Sequence, residues 1–108
     1  MKKIFVLLCG VAVAVLAIGT VVIAEEQGKK GEALFKQHCS PCHPDGGNVI
    51  NPQKTLHKKD REANGVKTAS DIINKMRNPG PGMTKFDKKT LPDADAKAIA
   101  EYELNTFK

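Results

Sequence analysis

Residues 37–49 read KQHCSPCHPDGGN, with Cys39 and Cys42 three apart and His43 directly after the second cysteine. Side chains at i and i+3 share one face of a helical turn. A structural zinc site needs four ligands, usually drawn from two pairs. The only other cysteine is Cys9, far upstream, and the spacing of His38, His43 and His57 matches no finger or ribbon. A thioredoxin-like redox pair needs a strand leading into the motif and a βαβ context, whereas these flanks read as helix. A disulfide between the two cysteines, which an exported chain permits, leaves His43 without a role. C-x-x-C-H is the signature of covalent haem attachment, and it uses all three residues. Each thiol forms a thioether with one haem vinyl group, and the next residue carries its imidazole beneath the ring to bind iron. One covalently attached haem c is therefore the expected cofactor, held by Cys39, Cys42 and His43.

A low-spin, electron-carrying haem needs a sixth ligand. The candidates are His38, His57, Met76 and Met83. His38 precedes Cys39 on the motif's own segment and cannot reach the opposite face of the ring. His57 lies in the charged stretch LHKKDREANG. Both are read as solvated histidines. Met76 lies in ASDIINKMRNP, where Ile72, Ile73 and Met76 share one helical face, so it reads as a core residue. Met83 lies in NPGPGMTKF, whose prolines and glycines exclude regular helix or strand. Glycines beside a methionine let backbone approach a flat ligand closely. Prolines reduce the entropy lost in holding one thioether in place. Met83 is the expected sixth ligand, and Met/His ligation is a known haem pattern.

The elements that must position these residues read as all-α. A first helix is expected from about Gly28 to Ser40, with Leu34 and Phe35 facing the haem. A second is expected over roughly Lys54 to Asn64 with Gly65 as its stop. A third runs about Ala69 to Asn78, opened by a Thr68/Asp71 capping box and closed by Pro79. A last helix begins near Pro92 in its first turn, with Asp93 and Asp95 at the positive end of its dipole. Ala96, Ile99, Ala100, Leu104 and Phe107 form its apolar face.

Ahead of these elements, MKK is followed by an uncharged run from Ile4 to Ala24. That is the layout of a secretory leader cut after Ala24. The competing reading is an uncut membrane anchor, because about 20 apolar residues span a bilayer. A lipoprotein signal fits less well, since Cys9 is early and follows Leu8. The domains expected are a leader over residues 1–24 and a single unit over 25–108, exported to the periplasm or cell envelope. The whole chain carries 17 Lys and Arg against 12 Asp and Glu, a formal charge of +5. Without residues 1–24, Lys2 and Lys3 go and every acid stays, leaving +3. No arginine-rich stretch is interleaved with aromatics, which argues against nucleic-acid binding. A unit this small usually recruits a disulfide, metal or cofactor to complete its core.

The order of parts resembles the class I c-type cytochromes. Within them it is most similar to the soluble c-six type and to monohaem relatives in the envelope of metal-reducing bacteria. GEALFKQHCSPCHPDGGNVI, KTL, REANG, MRNPGPGMTKF and AIAEYELNTF carry the likeness, over nearly all of residues 28–107. The resemblance implies about four helices wrapped around one haem. It implies thioethers on Cys39 and Cys42 and axial ligation by His43 and Met83. It also implies that Gly31 and Phe35 pack against the last helix near Tyr102, and that the Pro52 carbonyl accepts the His43 Nδ1 proton. Two departures stand out. The family usually has Met-Pro-Ala-Phe where this chain has Met83-Thr84-Lys85-Phe86, and a serine cap before the last helix is replaced by Pro92.

These readings converge on a monomeric one-electron carrier without catalysis, since two axial ligands leave the iron no open position. Lys85, Lys88 and Lys89 are expected near the haem edge, where they would steer an acidic redox partner. A solvated lysine face explains them equally well. The alternatives are a haem-based sensor or small-ligand binder with a displaceable Met83, a zinc module, and a role in assembling other envelope cytochromes.

Overall fold

A computed structural model describes residues 23–108. Four elements matter for the site: α1 over residues 23–38, α2 at Lys58–Ala63, α3 at Ala69–Arg77 and α4 at Asp93–Thr106. A short 3-10 turn, Pro44–Gly46, follows α1, and no strand occurs among the described residues. The all-α expectation holds. Apart from residues 23 and 24, which are helical, the expected leader lies outside the described residues. No helix among the described residues is long and apolar enough to cross a membrane.

The frame is the crossing of α1 and α4. A side chain at Gly31 would run into the Ala98 carbonyl oxygen and stand 2.9 Å from Tyr102 Cβ. Only glycine lets these two backbones approach so closely. One turn on, Phe35 is 3% exposed and packs between Tyr102 and Phe107, with ring centroids 5.3 Å apart in each pair. The Gly31/Phe35 contact with Tyr102 is as expected. Phe35 does not face the haem side, however. Neither it nor Leu34 lines the central cavity, because the Gly31 crossing turns this face of α1 onto α4.

α3 packs against α4 and completes the core with Ile72, Met76, Leu91, Ala96, Ile99 and Ala100. Its start carries both halves of the capping box. Asp71 N donates to Thr68 Oγ1 at 3.1 Å, and Asp71 Oδ2 accepts from Thr68 N at 3.0 Å. Those bonds satisfy donors that a helix start leaves open.

α2 is shorter than the expected Lys54–Asn64. The backbone ahead of it is committed elsewhere. Leu56 N donates to Gly46 O at 2.7 Å, Asn48 Nδ2 donates to Lys54 O at 2.9 Å, and Lys58 N donates to Phe107 O at 3.0 Å. His57 is the N-cap in extended conformation, so the helix starts only after it. Gly65 ends the element at φ 77°, as a left-handed stop requires. α4 begins at Asp93, one residue after Pro92. Pro92 is the N-cap rather than a first-turn residue and gives the helix no side-chain cap.

Candidate functional site

The C-x-x-C-H stretch continues α1 as a turn. Cys39 N and Ser40 N both donate to Phe35 O, at 2.8 and 2.9 Å, and His43 N donates to Cys39 O at 2.8 Å. Cys39, half-buried, and Cys42, exposed, are free thiols. The chain then reverses through two left-handed residues, Asp45 at φ 53° and Gly46 at φ 78°. Gly46 has a second constraint, since a Cβ there would stand 2.5 Å from Phe107 Cδ1.

This reversal brings the Gly47 carbonyl back over the imidazole, where it accepts from His43 Nδ1 at 2.7 Å. The expected partner, Pro52, is not used. The tight turn supplies an acceptor four residues away before the chain reaches Pro52. The bond places the proton on Nδ1 and leaves Nε2 with a free lone pair, the arrangement that suits a ligating histidine.

Cys39, Cys42, His43 and Met83 all line one cavity of about 320 Å³. Met83 follows Gly82, which sits at φ 88°, and is 37% exposed. Its loop is tied down on the far side, where Phe86 N donates to Met76 O at 2.9 Å. Arg77 clamps the same loop to α4. Its NH1 group donates to Phe86 O at 3.0 Å and Leu91 O at 2.8 Å, and NH2 pairs with Asp93 Oδ1 at 2.9 Å. Met76, 3% exposed, is a core residue as its periodicity predicts, and it also reaches the cavity wall.

The two other histidines differ from each other. His57 is exposed, with its ring edge-on to Phe107 at 5.7 Å. His38 is less exposed than the sequence suggests. It is half-buried, packs edge-on to Phe86 at 5.9 Å and lines the cavity. Among the described residues, no three His, Cys, Asp or Glu side chains gather as a metal-holding group.

The sequence reading missed two charged wall residues. Arg61 is 5% exposed and donates Nε to Leu56 O at 2.7 Å. Glu103 is 4% exposed, and its carboxyl group makes no hydrogen bond or ion pair among the described residues. Burial pushes the Glu103 carboxyl up to about 8, against the opposing pull of the Arg61 charge. The Cys39 thiol is pushed up to about 12, first by burial and then by the nearby Glu103 and Cys42. It therefore stays a protonated thiol rather than a thiolate. The sequence does hold a signal for Glu103, which occupies the i+4 position from Ile99 and the i−4 position from Phe107. A carboxylate on the apolar stripe of α4 is the anomaly.

Lys54 and Lys75 line the cavity. Lys85, Lys88 and Lys89 are exposed and do not line it, although Thr84 and Phe86 on either side of Lys85 do. Lys88 Nζ lies 3.5 Å from Asp93 Oδ2.

A slot lined by two thiols, an oriented imidazole and a thioether, with apolar walls, fits a covalently attached haem. The comparisons agree. The family model described as "Cytochrome C oxidase, cbb3-type, subunit III" matches residues 26–102. The chain is 33% identical over 105 residues to cytochrome c6 from Cyanidium caldarium, covering 97% of this chain and 94% of that one. It is 49% identical to the solved outer-membrane cytochrome OmcF from Geobacter sulfurreducens, with a TM-score of 0.71 and coverage of 72% and 99% of the two chains. The solved cytochrome c6 of the diatom Phaeodactylum tricornutum is 32% identical at a TM-score of 0.65, with coverage of 72% and 91%. The chain belongs to the c6-like class I monohaem cytochromes, electron carriers rather than enzymes, each with one covalently bound haem c.

Proposed function

We propose that this protein is a periplasmic or envelope one-electron carrier with Cys39 and Cys42 as the thioether anchors and His43 and Met83 as the axial ligands. The observation that carries this reading is the convergence of all four residues around one cavity. When bound, haem c supplies an iron that cycles between ferrous and ferric states. The residues around it do the rest. Gly47 O holds the His43 ring so that Nε2 is free to ligate. Arg77 and Met76 O fix the far end of the Met83 loop. Ile72, Met76 and Leu91 help to keep water from the inner wall, which together with a sulfur ligand favours the reduced state.

The test is an optical spectrum of the exported holoprotein, oxidised and reduced, with a haem assay on denatured protein. A thioether-type haem signal and a weak far-red sulfur-to-ferric-iron band are expected. The band should disappear in Met83→Ala and survive in Met76→Ala. Haem without the band would remove Met83 as ligand. We further expect the chain to be exported with residues 1–24 removed, so that intact-mass measurement gives a chain starting at Glu25. A mass that retains residues 1–24 would establish the uncut form. The exposed lysines at 85, 88 and 89 would steer an acidic redox partner. If charge reversal at all three left the salt dependence of electron exchange unchanged, they have no such role.

A further inference from the structure

Glu103 is the one side chain on the cavity wall that neither the fold nor electron carriage explains. It is 4% exposed, sits on the apolar face of α4, and lines the same cavity as the four haem-binding residues. A hydrophobic residue would close that wall at lower cost, because an unpaired buried carboxylate is expensive. No donor among the described residues bonds its carboxyl oxygens. Its nearest compensation is Arg61, also buried on the cavity wall, whose charge acts on it without forming an ion pair. A carboxyl in this setting is poised between neutral and charged forms.

We propose that Glu103 is a redox-linked proton site, releasing a proton to bulk water as an electron leaves for the redox partner and taking one back as the electron returns. The proposal rests on the reading that this cavity holds the haem. Losing one electron adds one positive charge to the cavity, and a positive charge favours carboxylate over carboxylic acid. In each oxidation, one electron passes to the partner, the O–H bond of Glu103 breaks, and its proton passes to water. Reduction reverses every step, so charge in the buried site is balanced in both states.

The other titratable and charged groups facing this space are accounted for by element. The end of α1 contributes His38 and Cys39, and the turn after it contributes Cys42 and His43. Lys54 precedes α2, Arg61 lies on α2, and Lys75 lies on α3. With haem attached, both cysteines are thioethers and do not titrate. His38 and the haem propionates remain, and the variant below separates Glu103 from them.

The experiment is redox titration of the holoprotein from pH 5 to 9, wild type beside Glu103→Gln, with the haem content of each measured first. In the wild type, the potential should be flat at low pH, fall through a window around neutral, and flatten again. An about ten-fold weaker proton affinity in the oxidised form would lower the potential by about 59 mV across that window. In Glu103→Gln the window should vanish. Glu103→Val serves the same purpose if the glutamine variant accumulates poorly. Redox-difference infrared spectra of the wild type alone give an independent readout. Oxidation should remove a protonated-carboxyl C=O band and add a carboxylate band. A window that persists in either variant, or a wild-type infrared spectrum with no carboxyl change, overturns the proposal. Wild-type protein without haem would instead overturn the cavity reading itself, and the haem assay reports that separately.

Discussion

Arg77 offers a test of how the Met83 loop is held. Its guanidinium reaches Phe86 O and Leu91 O, at the two ends of the segment between the Met83 loop and α4. Replacing it with methionine keeps most of the stem and removes both donors. Each carbonyl left without a partner costs about 1–3 kcal/mol, with partial exposure favouring the lower half of that range. The bond to Asp93 adds little, because that carboxylate is 68% exposed. One credit opposes these losses. Arg77 Nε is buried without a partner, and its removal returns roughly 1 kcal/mol. The net expectation is a loss of about 1–3 kcal/mol, or roughly 5–20 °C in Tm for a domain of this size. The assay is guanidinium unfolding of the holoprotein, followed both by helical circular dichroism and by the far-red sulfur-to-iron band. The band should fade at lower denaturant than the helix signal in Arg77→Met, because the loop opens locally before the core does. Arg77→Lys, with one donor group in place of the fork, should fall between. A variant within about 0.5 kcal/mol of wild type, with the two signals still coincident, would refute the account of Arg77 as the clamp.

Gly31→Ala should destabilise the protein by about 1–2 kcal/mol, since overpacking against Ala98 and Tyr102 outweighs the gain in helix propensity. A rise in the chemical-unfolding midpoint would show that α1 and α4 are not so closely crossed. Asp71 is held below the usual carboxylate range, first by the backbone N–H groups of Lys67 and Thr68 and then by the Thr68 side chain. Its stabilising effect is therefore present above pH 3.8 and lost as pH falls through its folded value. The stability gap between wild type and Asp71→Asn should close in acid, and a gap independent of pH would exclude the carboxylate as its source. Glu103 has the opposite sign. Burial raises it from 4.5 to about 8, so its contribution is fully favourable below pH 4.5 and is lost as pH rises towards 8. Glu103→Gln should lose less stability than wild type between pH 5 and 8, and parallel pH profiles would show that the carboxyl ionises as freely folded as unfolded.

Features that depend on near neighbours are legible in the amino-acid order. The C-x-x-C-H pattern at Cys39, Cys42 and His43 shows in its spacing alone, the capping box at Thr68 and Asp71 in a span of four residues, and the stop at Gly65 in a glycine after a helical run. The loop character around Met83 followed from its prolines and glycines in the same way. Gly31 and Phe35 were placed against Tyr102 through family resemblance, which already carries tertiary information. Which way side chains turn once helices cross depends on the packed fold. It set Phe35 on α4 instead of the cavity, and gave His43 the Gly47 carbonyl in place of Pro52. It brought Lys54 and Lys75 to the wall. It also held residues 54–57 out of helix through bonds to Gly46 and Asn48. Above all, it turned Glu103 from one acid among twelve into a buried group on the cavity wall. Helical period fixes which residues share a stripe, but the rotation of that stripe about its axis is set by contacts between distant segments. For α4 those are Gly31 and Phe35 on one side and α3 on the other.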